Sequence, residues 1–348
     1  MKAIQLLGKE NIELRELEKP QITEKEVLIK VKAASICGTD VRMYKNGYPT
    51  ASEETPLTLG HEISGDIVEV GADVAFYEVG MRVAIAPNMG CGICDQCVSG
   101  NTHLCETYEA FGINLPGGFA EYLVIPEKAV RQGNISLIPD ELSYEEAALI
   151  EPFSCVFNGQ EIAGVYPGDR VLIIGSGPIG IMHAMLARAR GAGKVMMNDL
   201  SEARLADAKK LLPDLITLTS ENLKERILNE TDQQGVDLCI IAAPAPQAQE
   251  ASFNYMAMNG RCLFFGGLPK EKEEVKLNTN ILHYKQLRVF GCTRASLKGY
   301  RTSAQLVASG RIPLEALITG RYAIEQFGDA LENAKGAIGL KNAILFDR

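Results

Sequence analysis

The segment RVLIIGSGPIGIMHAMLARARGAG, residues 170–193, constrains the fold of this chain more than any other. An apolar strand, RVLIIG (170–175), runs into glycines and then into helical periodicity over 178–193. The pattern repeats. KVMMND (194–199) reads as a strand followed by a helix through 202–212, and VDLCIIAA (236–243) and RCLFFGG (261–267) read as further buried strands. Strands alternating with helices imply a parallel sheet of right-handed βαβ units. The hexamer GSGPIG (175–180) fits G-x-G-x-x-G, a weak signal alone that gains force because it follows a strand and opens a helix. Gly175 permits the tight turn, Gly177 lets a pyrophosphate approach the backbone, and Gly180 allows close helix–strand packing. Pro178 and Ile179 open the helix whose N-terminus then faces the phosphates. Asp199 ends the next strand, 19 residues past Gly180, where an acid takes the ribose 2′-OH and repels a 2′-phosphate. NAD is therefore expected over NADP. Arg204 lies near enough to blur that preference, unless it covers the adenine or sits in solvent. A doubly wound domain without cofactor is the bland alternative.

The first 150 residues read differently. Short alternating runs such as EVLIKVKAAS (26–35), GDIVEVG (65–71) and RVAIAP (82–87) are broken by Gly, Pro and Asn, a mostly-β pattern. After about residue 290 the chain returns to mixed structure, with a helix near 298–309 and a closing strand NAILF (342–346). At 348 residues the chain has room for two domains with cores of their own. No apolar run approaches the roughly 20 residues of a membrane helix. The net charge of −9, with no Lys/Arg block longer than two, argues against a nucleic-acid surface.

Four cysteines fall within fifteen residues, CGICDQCVSGNTHLC: Cys91, Cys94, Cys97 and Cys105. Thiolates are soft ligands, and short spacers let one loop wrap a tetrahedral zinc ion. An iron–sulfur run is a second reading, although the proline and x3 step of the bacterial motif are missing. Disulfides are a third. The opening MKAIQLLGKENIEL has no apolar signal region, which points to a reducing cytoplasmic compartment and so away from them. His103 is expected as a solvent-facing neighbour inside this loop, and His183 and His283, in helix- and strand-like contexts, as packing or surface residues. Of the remaining cysteines, 155, 239, 262 and 292 sit in apolar surroundings as small buried hydrophobes.

Cys37 is different. It sits in CGTD, His61 and Glu62 in GHE, and Glu151 in IEPF. Each has a bland reading singly, as a core thiol, a surface pair or an acid before a helix. Together they offer one sulfur, one nitrogen and two oxygens, a plausible tetrahedral set for zinc.

CGTD, GHE, the cysteine quartet, IEP and GSGPIG, in this order across essentially the whole chain, resemble the zinc-containing medium-chain dehydrogenases. Glu151 stands where the alcohol enzymes carry a second thiol, as in the sorbitol and polyol branch. The resemblance implies a GroES-like mostly-β catalytic domain over 1–153 and 290–348, with a structural zinc loop at 88–106. It implies an NAD-binding Rossmann domain over 154–289. It implies two zinc ions per chain. One is structural, on the quartet. The other is catalytic, on Cys37, His61 and Glu62, with Glu151 as a ligand or an outer partner, and is open to exchange with Mn²⁺ because thiolates are few. The implied reaction moves a hydride from a secondary alcohol to NAD, with zinc as Lewis acid and Thr39 as proton relay. Arg42 stands where many relatives carry a histidine, so a water or the ribose would accept the proton further out.

Arg42, Lys45 and Arg294 are three cations expected near the substrate, Arg294 matching an arginine that polyol dehydrogenases use. Extra cations suit a phosphate, and RMYKNG after CGTD is similar to galactitol-phosphate and arabitol-phosphate dehydrogenases. A solvated face at Arg42 and Lys45 is the bland alternative. The expected activity is oxidation of a polyol or polyol phosphate to the ketose, with threonine or butanediol oxidation as the alternative and a silent scaffold disfavoured by the intact ligands. The expected partners are this small substrate, no nucleic acid, no membrane and further copies in a homodimer or homotetramer. The apolar strand LRVFGC (287–292) is a candidate contact.

Overall fold

The computed structural model describes residues 1–346 as two compact units, Met1–Ser154 with the residues from Ala295 onward, and Cys155–Arg294. The first unit is built on a mostly antiparallel sheet. Its path runs Ile135–Leu137, Arg82–Ile85, Glu62–Val70, Val27–Ser35, Lys341–Leu345, Ile318–Ala323, with Tyr122–Ile125 also paired to Val27–Ser35. The strand VLIKVKAAS buries most of its length, while Lys30 and Lys32 are half-buried, the Lys32 ammonium 3.6 Å from Asp66 Oδ2. A smaller sheet joins Lys2–Gly8 to Asn11–Glu16 and Leu57–Thr58. The core draws on Ile29, Val31, Ile63, Ile67, Val83 and Ile85. Phe119, fully buried, meets Phe327 edge-on at 5.0 Å between centroids. Each such ring contributes roughly 1.5–3 kcal/mol by leaving water.

Gly60 shows how the chain is threaded just before His61. Its φ is +93°, and a Cβ there would lie 2.8 Å from the Phe119 ring and 2.9 Å from the Phe119 amide. No L side chain fits that combination of left-handed backbone and close approach. The Gly118 amide donates to the Gly60 carbonyl at 2.8 Å, pinning the GHE segment.

The second unit carries a six-stranded sheet, parallel throughout, in the order Ile216–Leu218, Lys194–Asn198, Arg170–Ile174, Val236–Ile241, Met256–Phe264, Arg288–Gly291. Numbered within the unit this is 3-2-1-4-5-6, the order of the dinucleotide-binding fold, whose direction reverses beside its first strand. Helices Pro178–Ala189 and Glu202–Leu211 make the first two crossovers. The first is buried along Ile181, Met182, Ala184 and Ala187, each 0% exposed, as expected of a helix laid on a sheet face. Arg288–Gly291 completes the sheet as its edge strand. Among the described residues no helix is long and apolar enough to cross a membrane.

Candidate metal centres and nucleotide turn

Strand register brings the first donor set together. Ser35 pairs with Glu62 across two antiparallel strands, so Cys37 and His61, just beyond those ends, are neighbours. Cys37 caps the helix Gly38–Asn46, and Asp40, fully buried in its first turn, accepts the Cys37 amide through Oδ2 at 2.9 Å. The other oxygen, Oδ1, lies 3.6 Å from His61 Nδ1. One donor atom from each of Cys37, His61 and Glu62 lies within 4.8 Å of the others. Zinc bonds of 2.0–2.3 Å place tetrahedral ligands about 3.3–3.8 Å apart, so small side-chain rotations suffice to enclose an ion. Asp40 Oδ1 and His61 Nδ1, both buried, have no hydrogen-bond partner. Such groups are costly unless a hydrogen bond or a cation satisfies them. The donor set therefore fits zinc, with Asp40 orienting the imidazole from behind. Burial opposes a charged imidazole, but the carboxylate of Asp40 and the Cys37 sulfur outweigh it and raise His61 well above the ordinary imidazole range. The pocket is built to attract a cation.

Two residues of this cluster escaped the sequence reading. Asp40 carried a signal, being an acid three residues after a helix cap. Lys341 carried none. It lies 5% exposed at the start of the closing strand and donates to both Glu62 oxygens, at 2.8 and 2.6 Å, and to the Ile36 carbonyl at 3.0 Å. Burial works against its charge, yet Glu62 foremost, then Cys37 and Asp40, raise its pKa.

Glu151, expected as a ligand or outer partner, does not join the three mutually close donors. It is buried in the first turn of helix Ile150–Ala163, and its charge, after burial, helps push the Tyr300 phenol well up. Thr39 is half-buried on helix Gly38–Asn46, and its hydroxyl accepts from Arg42 Nη2 at 3.1 Å. Arg42 and Lys45 are exposed on that helix. Arg294 is half-buried in the second unit with φ +52°, its carbonyl accepting from Asn158 Nδ2 at 3.0 Å.

The quartet also closes. Donor atoms of Cys91, Cys94, Cys97 and Cys105 lie within 4.8 Å of one another, and Cys91 and Cys97 sulfurs are 4.0 Å apart. The edge of a ZnS₄ tetrahedron is about 3.8 Å. The Cys91 amide points to Cys105 Sγ and the Cys94 amide to Cys91 Sγ, each at 3.3 Å, a pattern that favours thiolate. The Cys91 amide and the Thr107 hydroxyl pull Cys105 down to about 6. His103 is not solvent-facing: it is buried at 4% exposure on the turn Thr102–Leu104.

In the second unit the strand ends at Ile174, Gly175 turns with φ +110°, and Gly177 caps the helix that Pro178 and Ile179 open. A Cβ on Gly180 would lie 1.9 Å from the Gly175 carbonyl oxygen, so the helix sits as close as a bare backbone allows. Asp199 follows the second strand. Its Oδ2 accepts from the Ser176 amide at 2.7 Å and hydroxyl at 2.8 Å, and its Oδ1 from the Ser201 amide at 2.9 Å. Against the cost of burial, the Ser201 and Ser176 donors and the Arg204 charge hold it below the usual carboxylate range. Arg204 is half-buried on helix Glu202–Leu211. Ser176 was not singled out by sequence, although it sits between the first two motif glycines. His183 is a packing residue: it is fully buried, meets Phe265 edge-on at 4.6 Å, and burial lowers it to about 3. His283 lies on a helix, Thr279–Tyr284, rather than on a strand.

Two family models match the chain, the alcohol dehydrogenase GroES-like domain over residues 23–136 and the zinc-binding dehydrogenase domain over residues 178–309. Sorbitol dehydrogenase of Bacillus subtilis is 36% identical over 337 residues, covering 96% of this chain and 93% of the relative. L-threonine 3-dehydrogenase of Pyrococcus furiosus is 34% identical, covering 92% and 91%. The crystal structure of galactitol-1-phosphate dehydrogenase from Escherichia coli superposes with TM-score 0.88 at 28% identity, covering 99% of this chain and 100% of that one. The chain therefore belongs to the zinc-containing medium-chain dehydrogenases, a zinc- and NAD(P)-dependent alcohol dehydrogenase with relatives among the polyol enzymes.

Proposed function

We propose that this enzyme oxidises a secondary hydroxyl of a polyol or polyol phosphate to the ketose or ketose phosphate, with NAD as acceptor. The buried convergence of Cys37, His61 and Glu62, with a single thiolate among them, carries the reading. Zinc held there supplies Lewis acidity toward a hydroxyl, and NAD supplies the hydride acceptor. The chain's own residues do the rest. Asp40 fixes the His61 ring. Thr39 takes the hydroxyl proton and hands it outward to water, while Arg42 holds the Thr39 oxygen in place through the bond at 3.1 Å. Glu62 and Glu151 are the buried acids that complete the donor set or stand directly behind it. Asp199, kept ionised and gripped from three sides, receives the ribose 2′-OH and turns away a 2′-phosphate. The glycines at 175, 177 and 180 admit the pyrophosphate, with Arg204 beside the adenosine end. Arg42, Lys45 and Arg294 are the cations assigned to the substrate, residue types whose charge suits a phosphate. Residues 1–153 with 290–348 form the catalytic domain and residues 154–289 the nucleotide domain in this reading. The working unit is a homodimer or homotetramer, for which the edge strand Arg288–Gly291, with Val289 38% exposed, is the assigned contact.

The identity to a threonine dehydrogenase favours a second reading, oxidation of the β-hydroxyl of an amino acid. One assay separates the two. NADH formation is measured with arabitol, xylitol, sorbitol, their phosphates, galactitol phosphate, threonine and butanediol, with NADP run in parallel. The highest kcat/KM is expected on a polyol phosphate. A free polyol outpacing its phosphate would remove the phosphate from the proposal, and threonine leading would replace it.

A further inference from the structure

Lys341 is a buried cation in the middle of an anionic cluster. An ammonium has three N–H donors, and all three of those on Lys341 are used: one on the Ile36 carbonyl and two on the Glu62 carboxylate, one per oxygen. The strand is locked in this register. Ala343 pairs with Ser35, and the Ile36 amide donates to the Asn342 carbonyl at 3.0 Å, so Lys341 stands opposite the turn that carries Cys37. Three anionic side chains surround the candidate metal position, the Cys37 thiolate and Glu62 at it and Asp40 behind His61. A divalent ion and Lys341 together offset these three negative charges. Uncompensated charge in such a place is expensive. Without Lys341 the Glu62 carboxylate would have one cation left to turn to, the metal, and two free oxygens with which to chelate it.

We infer that Lys341 is a positioning residue that holds both Glu62 oxygens and so prevents the carboxylate from closing over the metal, keeping a coordination position open for substrate. This rests on the reading that Cys37, His61 and Glu62 hold the working ion, with Glu62 contributing no more than one oxygen. A four-coordinate site with one exchangeable position is what alcohol binding needs, and a chelating carboxylate would fill it.

The test replaces the exchangeable zinc of the full-length enzyme with Co²⁺ and reads the visible d–d bands, which are strong in four-coordinate and weak in five- or six-coordinate cobalt. The Cys37-dependent part of the spectrum is obtained by difference from Cys37→Ala. Lys341→Met is expected to weaken these bands by about twofold or more as Glu62 chelates, and Glu62→Gln added to Lys341→Met is expected to restore them. Lys341→Gln keeps a donor for one Glu62 oxygen, should fold more readily, and is expected to move the bands the same way. Unchanged bands in a folded Lys341 variant overturn the inference, as does failure of both single variants to fold and take up Co²⁺, since Lys341 would then serve the fold alone. Co²⁺ bands of full strength in Cys37→Ala would instead refute the metal assignment itself.

Discussion

Two glycines of the same hexamer should fail in opposite ways. A Cβ on Gly180 would lie 1.9 Å from the Gly175 oxygen and 2.9 Å from its carbon. Relief to ordinary contact requires the strand end and the helix to part by roughly 1.5 Å. The strand end cannot yield easily. The Gly175 amide is bonded to the Asn198 carbonyl at 2.8 Å, and the Ile174 carbonyl accepts from the Ala242 and Ala243 amides at 2.9 and 3.0 Å. The helix cannot yield either, with Ile181, Met182, Ala184 and Ala187 at 0% exposure against the sheet. Overpacking of this kind costs about 1–3 kcal/mol, which for a domain of this size lowers Tm by roughly 2–12 °C. Gly180→Ala should show that fall and, with its phosphate cradle displaced, a tenfold or greater rise in NADH Kd, worth about 1.4 kcal/mol. Gly177 is the control. Beyond its own neighbours in the chain, no heavy atom lies within 4 Å of the Cβ position there, and φ −71° suits any residue. Gly177→Ala should leave the cofactor-free Tm unchanged or raise it by up to about 1 kcal/mol of stability, yet weaken NADH at least tenfold, because the new methyl stands where pyrophosphate approaches. Scanning calorimetry without cofactor and fluorescence titration with NADH read the two effects separately. A Gly180→Ala variant with wild-type Tm and Kd, or a Gly177→Ala variant that unfolds as early, would refute the reasoning.

Asp237 takes the Arg170 side chain through both oxygens, at 2.8 Å each, and despite the cost of burial the Arg170 bonds hold its pKa below the usual carboxylate value. A depressed carboxylate stabilises the fold above its unfolded pKa of about 3.9 and loses that contribution as pH falls through the lower folded value. Asp237→Asn should therefore cost about 1 kcal/mol at pH 7, with the gap to wild type closing below about pH 4 in acid-unfolding curves; a gap that widens on acidification would contradict the ion pair. Ser176→Ala removes one of the three donors to Asp199, and KM for NAD should rise by about fivefold, near 1 kcal/mol, with kcat little changed; an unaltered KM would leave Ser176 without a role in cofactor binding.

What was legible in the chain followed from local pattern. Strands and helices of the second unit could be read because buried parallel strands are short apolar runs and their crossovers have helical period, as in RVLII at 170–174 and the helix at 178–189 that follows it. The short strand Ile216–Leu218 was not read, since three residues offer no period. Cysteine spacing announced a metal loop but not the burial of His103, which depends on how that loop closes. At the other centre, Cys37, His61 and Glu62 could be named from their motifs because each motif is contiguous. Lys341 could not. It meets Glu62 across 279 residues of chain, and nothing near it in sequence says that its ammonium will be buried. Glu151 shows the converse: a motif identified it, and side-chain placement decided that it stands apart from the close donors.

The closing strand Lys341–Leu345 lies between Val27–Ser35 and Ile318–Ala323 in its sheet, while the second unit is one continuous stretch of chain. A ribosome therefore completes the whole nucleotide domain before it makes the strand that finishes the first. Ser35 and Ala343 are partners made 308 residues apart, and at ordinary elongation rates the first waits roughly 15–60 s for the second. During that interval the sheet edge at Ala33–Ser35 is open to wrong partners, the hazard of any unpaired strand. Glu62, meanwhile, has no lysine to hold it. The charge arrangement around the working site is therefore complete only once the last strand has paired.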